Sequence, residues 1–333
     1  MKFILLIIAL HTFFTTKKET VKTWHLTGQA QGTVYRITYY AADSIFTLRE
    51  ADSVFNRLDS SLSLYKPYSL VSLFNNANDG IVADDHLQLV VKRALEVYTD
   101  TQGDFDITVW PLVNLWGFGL EKNTNLPDSN TVLAIMPCIG SVKLQLQQKR
   151  LVKKMPCVQI DVNGIAQGYS VDVISAFIES KGISNYLVEI GGEIRMKGRK
   201  HPGNVKMKIG IEAPVDDLSG TSLLNKVIEL DSGAVTTSGS YRRFYESNGQ
   251  RITHLIDPHT GFTVANELIS VTVLAKDAIT ADAYDNALMV MGLERALRFA
   301  EKRNDIDAYF IYRDKKGRIH DTATTGFYTV MQN

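Results

Sequence analysis

The chain has only two cysteines in 333 residues, Cys138 and Cys157, and neither stands in a CxxC or Cys/His metal spacing. That excludes a zinc site built on thiolates and a scaffold held mainly by disulfides. The two thiols flank loops marked by Pro137 and Pro156; they are expected to be buried and unpaired, with one bridge between them left open. Charge of one sign is also lacking. Lys plus Arg and Asp plus Glu each total 36, so no overall field draws the chain to nucleic acid or an acidic membrane. Familiar nucleotide and hydrolase signatures are missing as well: there is no GxxxxGK[ST] loop, no complete GxGxxG after a strand, no GxSxG elbow and no HExxH. Any nucleotide must bind by another route.

One apolar run stands out. Phe3 to Phe14, after Met1 and Lys2, is too short for an ordinary membrane span and of the right length for a signal-peptide core. Export is therefore expected. Neither an Ala-x-Ala site nor a following cysteine marks cleavage or lipid attachment, so residues 1–22 read as a signal peptide or a short membrane anchor, and residues 23–333 as one catalytic unit. At 45% hydrophobic and 22% charged residues, that remainder is long and apolar enough for a sizeable core. No linker or short repeat divides it.

Helical spacing links Leu48, Ala51, Phe55, Leu58 and Leu62, and again Leu87, Val90, Ala94 and Tyr98. Strands are expected over Gly32–Tyr40, Val142–Leu146, Val158–Val162, Tyr186–Ile190, Val205–Ile211, Lys226–Leu230, Arg251–Ile256, Leu268–Leu274 and, last, Ala308–Tyr312. A helix from about Ile165 to Lys181 stops at Gly182, and two more helices follow Leu274. The expected class is α+β, with mixed or antiparallel sheets and packed helices in a two-lobed unit.

The chemistry sits in glycine-punctuated polar clusters. Asp282, Asp285 and Asn286 fall at i, i+3 and i+4, one face of a helix. A face of hard oxygens suits Mg²⁺ or Ca²⁺, and Mg²⁺ usually completes its shell with phosphate oxygens; the plain alternative is a polar helix face. In Gly103-Asp104-Phe105-Asp106, Asp106 interrupts an apolar run and must cap a backbone or meet a ligand. Asp161-Val162-Asn163-Gly164-Ile165-Ala166-Gln167-Gly168 joins a strand to a helix through glycines that admit close backbone approach. Glu189-Ile190-Gly191-Gly192-Glu193, Thr236-Thr237-Ser238-Gly239-Ser240-Tyr241-Arg242-Arg243 and His254-Leu255-Ile256-Asp257-Pro258-His259 complete the set. Hydroxyls, paired arginines and a histidine would make a pyrophosphate cradle. Alone, each cluster reads as a turn or a local cap.

In this order, and together with Gln31-Gly32-Thr33-Val34-Tyr35, Ser63-Leu64-Tyr65-Lys66-Pro67, Thr280-Ala281-Asp282 and Met289-Val290-Met291-Gly292, the clusters resemble the FAD:protein FMN transferase family, also called the ApbE family. The resemblance implies Mg²⁺-dependent transfer of FMN from FAD to a threonine hydroxyl of an exported or membrane-bound acceptor protein, with release of AMP. It places Tyr65 against the flavin ring, Gln31, Asp104, Phe105, Asp106, Asp161, Gln167 and Ile256 on FAD, and Mg²⁺ on the Gly164 carbonyl with Asp282, Asp285 and Asn286. His254 is the expected base for the incoming hydroxyl. Gln31 stands where methionine is common in the family, Gln167 where lysine or glutamate is, Ser240 where aspartate is and Asn286 where threonine is; Gln167 weakens any claim that a charged side chain is needed at that position, and it is not named as catalytic. Hydrolysis of FAD to FMN and AMP at the same site, or FAD storage without catalysis, would also use these residues.

Overall fold

The computed structural model describes residues 20–120, 126–211, 226–241, 244–247 and 250–332. The apolar run Phe3 to Phe14 and the paired Arg242 and Arg243 lie outside the described residues.

The chain opens with a hairpin of β1 (Lys22–Ala30) and β2 (Thr33–Ala41). Its two-residue turn is Gln31-Gly32, both at positive φ (53° and 75°), the backbone a tight hairpin demands. Helix α1 (Leu48–Leu62) starts at a Thr47/Glu50 capping box and buries the stripe Ala51, Val54, Phe55, Leu58 and Leu62. After α2 (Leu70–Asn76) and β3 (Gly80–Val82), α3 (Asp85–Asp100) buries Leu87, Val90 and Ala94. Short helices α4 (Trp110–Leu115) and α5 (Ser129–Ile135) lead to the hairpin β4 (Leu144–Gln147) and β5 (Arg150–Lys153). Next come α6 (Asn163–Ser180), β6 (Tyr186–Ile190), β7 (Glu193–Lys197), β8 (Met207–Ile211), β9 (Lys226–Leu230) and β10 (Ser232–Gly239). A small hairpin, β11 (Phe244–Ser247) with β12 (Gln250–Thr253), precedes β13 (Leu268–Ala275). The chain closes through α7 (Ala278–Met291), α8 (Leu293–Glu301), β14 (Ile306–Arg313), β15 (Ile319–Ala323) and α9 (Thr325–Tyr328).

The central sheet has eight strands in the order β1-β2-β6-β7-β10-β13-β14-β15, and every neighbouring pair is antiparallel. Both faces are covered. Along β14, Ile306, Ala308 and Phe310 join the core shared with α1, α3, α6 and α7, whereas Tyr309 and Ile311 point the other way, onto the β8–β9 hairpin and Phe327 of α9. This is the period-two alternation of a strand buried on both sides. A third cluster joins Leu112, Trp116 and Phe118 to Val132, Ile252 and Ile256. Among the described residues no helix is long and apolar enough to cross a membrane.

Four expectations are corrected. Residues 158–162 form no strand, because the Ile160 backbone is bonded by the buried Asn75 amide: Ile160 N–H donates to Asn75 Oδ1 (2.7 Å) and Asn75 Nδ2 donates to the Ile160 carbonyl (2.9 Å). Ala308–Tyr312 is not the last strand, since β15 follows. The Arg251–Ile256 strand ends at Thr253. The cysteines are not buried thiols: Cys138 and Cys157 form a disulfide, with Cα atoms 5.5 Å apart. The β4–β5 hairpin brings its two flanks together, pairing Leu144 with Lys153 and then Lys154 N–H with the Lys143 carbonyl (2.9 Å), and Cys157 lies exposed at its open end.

Candidate functional site

A cavity of about 300 Å³ lies at one end of the central sheet, walled by the β6–β7 turn, β10, the first turn of α6, the middle of α7 and the loops at 104–109 and 254–258. Two contacts seat α7 against α6. Gly168 has no side chain, and a Cβ there would stand 2.3 Å from the Ala278 carbonyl oxygen and 2.7 Å from Asp282 Cβ; only glycine permits this approach. One turn further on, buried Asp172 accepts from the Ala278 and Ile279 N–H groups (2.9 and 2.8 Å) and pairs with Arg195 (2.6 Å). The first turn of α7 is thereby fixed, and with it the direction of the face that carries Asp282, Asp285 and Asn286.

That face meets the start of α6. Gly164 is non-helical (φ −80°, ψ 17°), and the Gly168 N–H is donated to Asp282 Oδ2 at 2.8 Å, which loosens the helix ladder's claim on the Gly164 carbonyl. Asn286 Nδ2 then stands 2.9 Å from the Asp282 carbonyl, 2.9 Å from Asp285 Oδ1 and 3.4 Å from the Gly164 carbonyl, while Ser238 Oγ donates to Asn286 Oδ1 (3.2 Å). Three oxygens converge on one electropositive amide. Burial pushes the Asp282 carboxyl up to about 7; the Gly168 N–H opposes that rise and the nearby Asp172 charge adds to it. Among the described residues no three His, Cys, Asp or Glu side chains gather into a metal-holding group. What converges here is the Gly164 and Asp282 carbonyls with Asp285 Oδ1, and the Asp282 carboxyl and Asn286 amide oxygen lie on the same helix face; such hard oxygens suit a hard cation and not zinc.

The other expected residues divide between this cavity and an adjoining cleft of about 980 Å³. Asp104, Phe105, Asp106, Asp161, Gln167, His254 and Ile256 line the cavity; Gln31 and Tyr65 line the cleft, and Gln167 and Asn163 are common to both. Tyr65 is 55% exposed at the cleft. Gln31 donates from Nε2 to Ser170 Oγ (2.7 Å), and its Oε1 is buried with no partner among the described residues. His254 is half-buried, its ring edge-on to Phe118 with centroids 6.3 Å apart. Asp161 Oδ1 accepts from the Asn163 N–H (2.8 Å).

Asp106 caps the local backbone while it lines the cavity. Its Oδ1 accepts from Thr108 N–H (2.8 Å), Thr108 Oγ1 (2.7 Å) and Ser141 Oγ (2.6 Å), and its Oδ2 from Ser141 N–H (3.1 Å). Burial raises its pKa and these bonds oppose the rise. Asp104 is equally buried but is held by other side chains, 2.5 Å from the Arg295 guanidinium and 3.2 Å from His259 Nε2.

The ApbE family profile matches residues 31–310 of this chain. The chain belongs to the ApbE family. It is 38% identical over 301 residues to the FAD:protein FMN transferase of Vibrio cholerae serotype O1, covering 88% of each chain. With that of Haemophilus influenzae it shares 36% over 314 residues, 90% of this chain and 89% of the relative. Its structure is similar to the flavin transferase ApbE from Vibrio cholerae (TM-score 0.84, 35% identity, 93% of this chain and 99% of the other). The apo flavinyl transferase ApbE of Pseudomonas stutzeri gives a TM-score of 0.83 at 34% identity, over 93% and 97% of the two chains.

Within this ApbE-family chain, sequence reasoning missed Arg295 and His259 as partners of Asp104, and missed Asp172, which seats α7. A buried aspartate announces that it needs a partner. It does not announce which one: Arg295 lies 191 positions from Asp104 in the numbering, on a helix read only as such.

Proposed function

We propose that this protein transfers FMN from FAD to a threonine hydroxyl of an acceptor protein and releases AMP. The observation that carries the reading is the convergence of the Gly164 carbonyl, Asp285 and the Asp282 backbone on the Asn286 amide, inside the cavity lined by the expected FAD residues. The relatives named above support the reaction; the residue roles are our assignment.

Gly164 through its carbonyl, Asp282, Asp285 and Asn286 would hold a Mg²⁺ ion, with Asn286 turning its amide so that Oδ1 faces the other oxygens. When bound, the ion supplies neutralisation of pyrophosphate charge. Gln31 Oε1, buried without a donor, suits a flavin N–H, and the exposed Tyr65 ring suits stacking on the isoalloxazine. Asp104, Phe105, Asp161, Gln167 and Ile256 line the path of the dinucleotide. Asp106 acts indirectly, by fixing the loop that carries Phe105. His254 accepts the proton of the threonine Oγ as that oxygen bonds to the FMN phosphorus and the bond from phosphorus to the AMP oxygen breaks. Positioning and charge neutralisation then carry most of the rate.

An exported, periplasmic location, with the N-terminal segment as signal or anchor, belongs to the same proposal. The Cys138–Cys157 disulfide supports it, since such bonds persist in oxidising compartments. The test is AMP release from FAD in the presence of acceptor, with Mg²⁺ or with chelator, for the native protein and Asp285→Ala. Mg²⁺-dependent release lost in the variant supports the assignment; release indifferent to both contradicts it.

A further inference from the structure

A third cleft, of about 400 Å³, lies on the opposite face of the central sheet from α6 and α7, under the β8–β9 hairpin. None of the residues assigned to FAD or the cation lines it. It meets the reaction cavity at Gly191 and Thr237, which wall both. Gly191 is the junction: a Cβ there would fall 2.4 Å from Gln167 Nε2 and 3.0 Å from Thr33 Cγ2, and Gln167 belongs to the cavity and the second cleft while Thr33 belongs to the second and third. Three clefts therefore converge on one point. If FAD occupies the first two, the third approaches the dinucleotide at its middle, where the pyrophosphate lies.

We infer that the third cleft receives the acceptor protein as an extended segment laid along β8, with its threonine directed past Gly191 into the cavity. The inference rests on the transferase reading above and names the surface that reading leaves open. Three observations carry it. First, β8 pairs with β9 alone, and among the described residues no strand occupies its other edge; such an edge takes an added strand through main-chain hydrogen bonds. Second, Gly210 in the wall has nothing within 4 Å of where a Cβ would stand, which gives clearance for a main chain to lie close. Third, the Tyr241 hydroxyl, whose residue lines the cleft, is buried without a partner among the described residues, and an acceptor-segment carbonyl would satisfy it. The Arg36–Glu189 ion pair (3.1 Å) adds polar contacts at the wall.

The experiment uses Gly210→Trp, because Gly210 is an exposed position of β8 and a Cβ there meets nothing within 4 Å, so an indole crowds a segment laid along this strand. The probe is a library of threonine-centred decapeptides with randomised flanks, supplied with FAD and Mg²⁺ and read by mass for attached FMN. The expected result is selective labelling by the native protein and at least a tenfold higher KM for the selected peptide in Gly210→Trp, with FAD affinity by flavin fluorescence unchanged. Tyr241→Phe, which removes only the hydroxyl, shifts the same KM several-fold and covers the case in which Gly210→Trp lowers the melting temperature. Equal labelling by native protein and both variants overturns the inference, as does loss of FAD affinity in well-folded variants, which would give the cleft to FAD. Absence of any labelled peptide with native protein also overturns it. In that case transfer to whole acceptor protein separates the two failures: transfer leaves the transferase reading standing, and its absence removes both.

Discussion

Gly168→Ala adds one methyl group where α6 and α7 touch, and its effect follows from the geometry. The new Cβ would lie 2.3 Å from the Ala278 carbonyl oxygen and 2.7 Å from Asp282 Cβ; ordinary contact begins near 3.4 Å, so α7 must retreat by about 1 Å. Alanine is the better helix former by about 1 kcal/mol, which offsets part of an overpacking cost of about 1–3 kcal/mol. The Gly168 N–H bond to Asp282 (2.8 Å) is stretched as well, and bonds to charged groups contribute about 1.5–3 kcal/mol. Net destabilisation of about 1–4 kcal/mol is expected, visible as a melting temperature lower by several degrees. The functional loss should be larger than the stability loss implies. Asp282 moves relative to the Gly164 carbonyl, and a displacement near 1 Å in a positioning group lowers a rate by roughly a hundredfold. Calorimetric Mg²⁺ titration and AMP release, measured well below the melting temperature, separate the two effects. Native Mg²⁺ affinity and turnover in a folded Gly168→Ala protein would refute the claim that this contact sets the cation site.

Asp282 is held up at about 7 by burial, well above an ordinary aspartate near 3.9, so it is protonated below that pH and a cation must displace the proton. Mg²⁺ affinity should rise with pH through about 7 and level off above it; equal affinity at pH 6 and pH 8 contradicts this. Asn75→Ala strips the partners from both the N–H and the carbonyl of buried Ile160, and should lower unfolding stability by about 2–5 kcal/mol in denaturant titration; an unchanged midpoint sinks the argument. Cys157→Ser opens a loop of 19 residues' separation and should lower stability by about 3 kcal/mol, with no effect of reductant on the variant; a native protein already showing two reactive thiols contradicts the pairing.

Long amphipathic and alternating segments were legible because burial imposes their period. The stripes on α1 and α3, the alternation along β6 and the i, i+3, i+4 face on α7 all follow from residue spacing. Strand β1 was not seen: its burial is slight, and it owes its place to pairing with β2 through the Gln31-Gly32 turn. Strand β10, Ser232–Gly239, reads as a small-residue loop until β7 and β13 supply its neighbours. Residues 158–162 failed for the converse reason: strand-like composition met a side-chain amide in place of a ladder. The site's residue types were legible through the family pattern. The supports were not, because Gly168 against Ala278 and Asp104 against Arg295 are contacts between distant segments that no local spacing encodes.

The central claim is covalent transfer, and one measurement addresses it most directly: protein lacking the N-terminal segment is mixed with FAD, Mg²⁺ and a threonine-bearing acceptor protein, and both AMP and acceptor-bound flavin are quantified. The account predicts AMP and flavin-labelled acceptor in equal amounts, with the label lost when the acceptor threonine is changed to alanine. AMP with free FMN and an unlabelled acceptor, or FAD bound without any AMP, would contradict it.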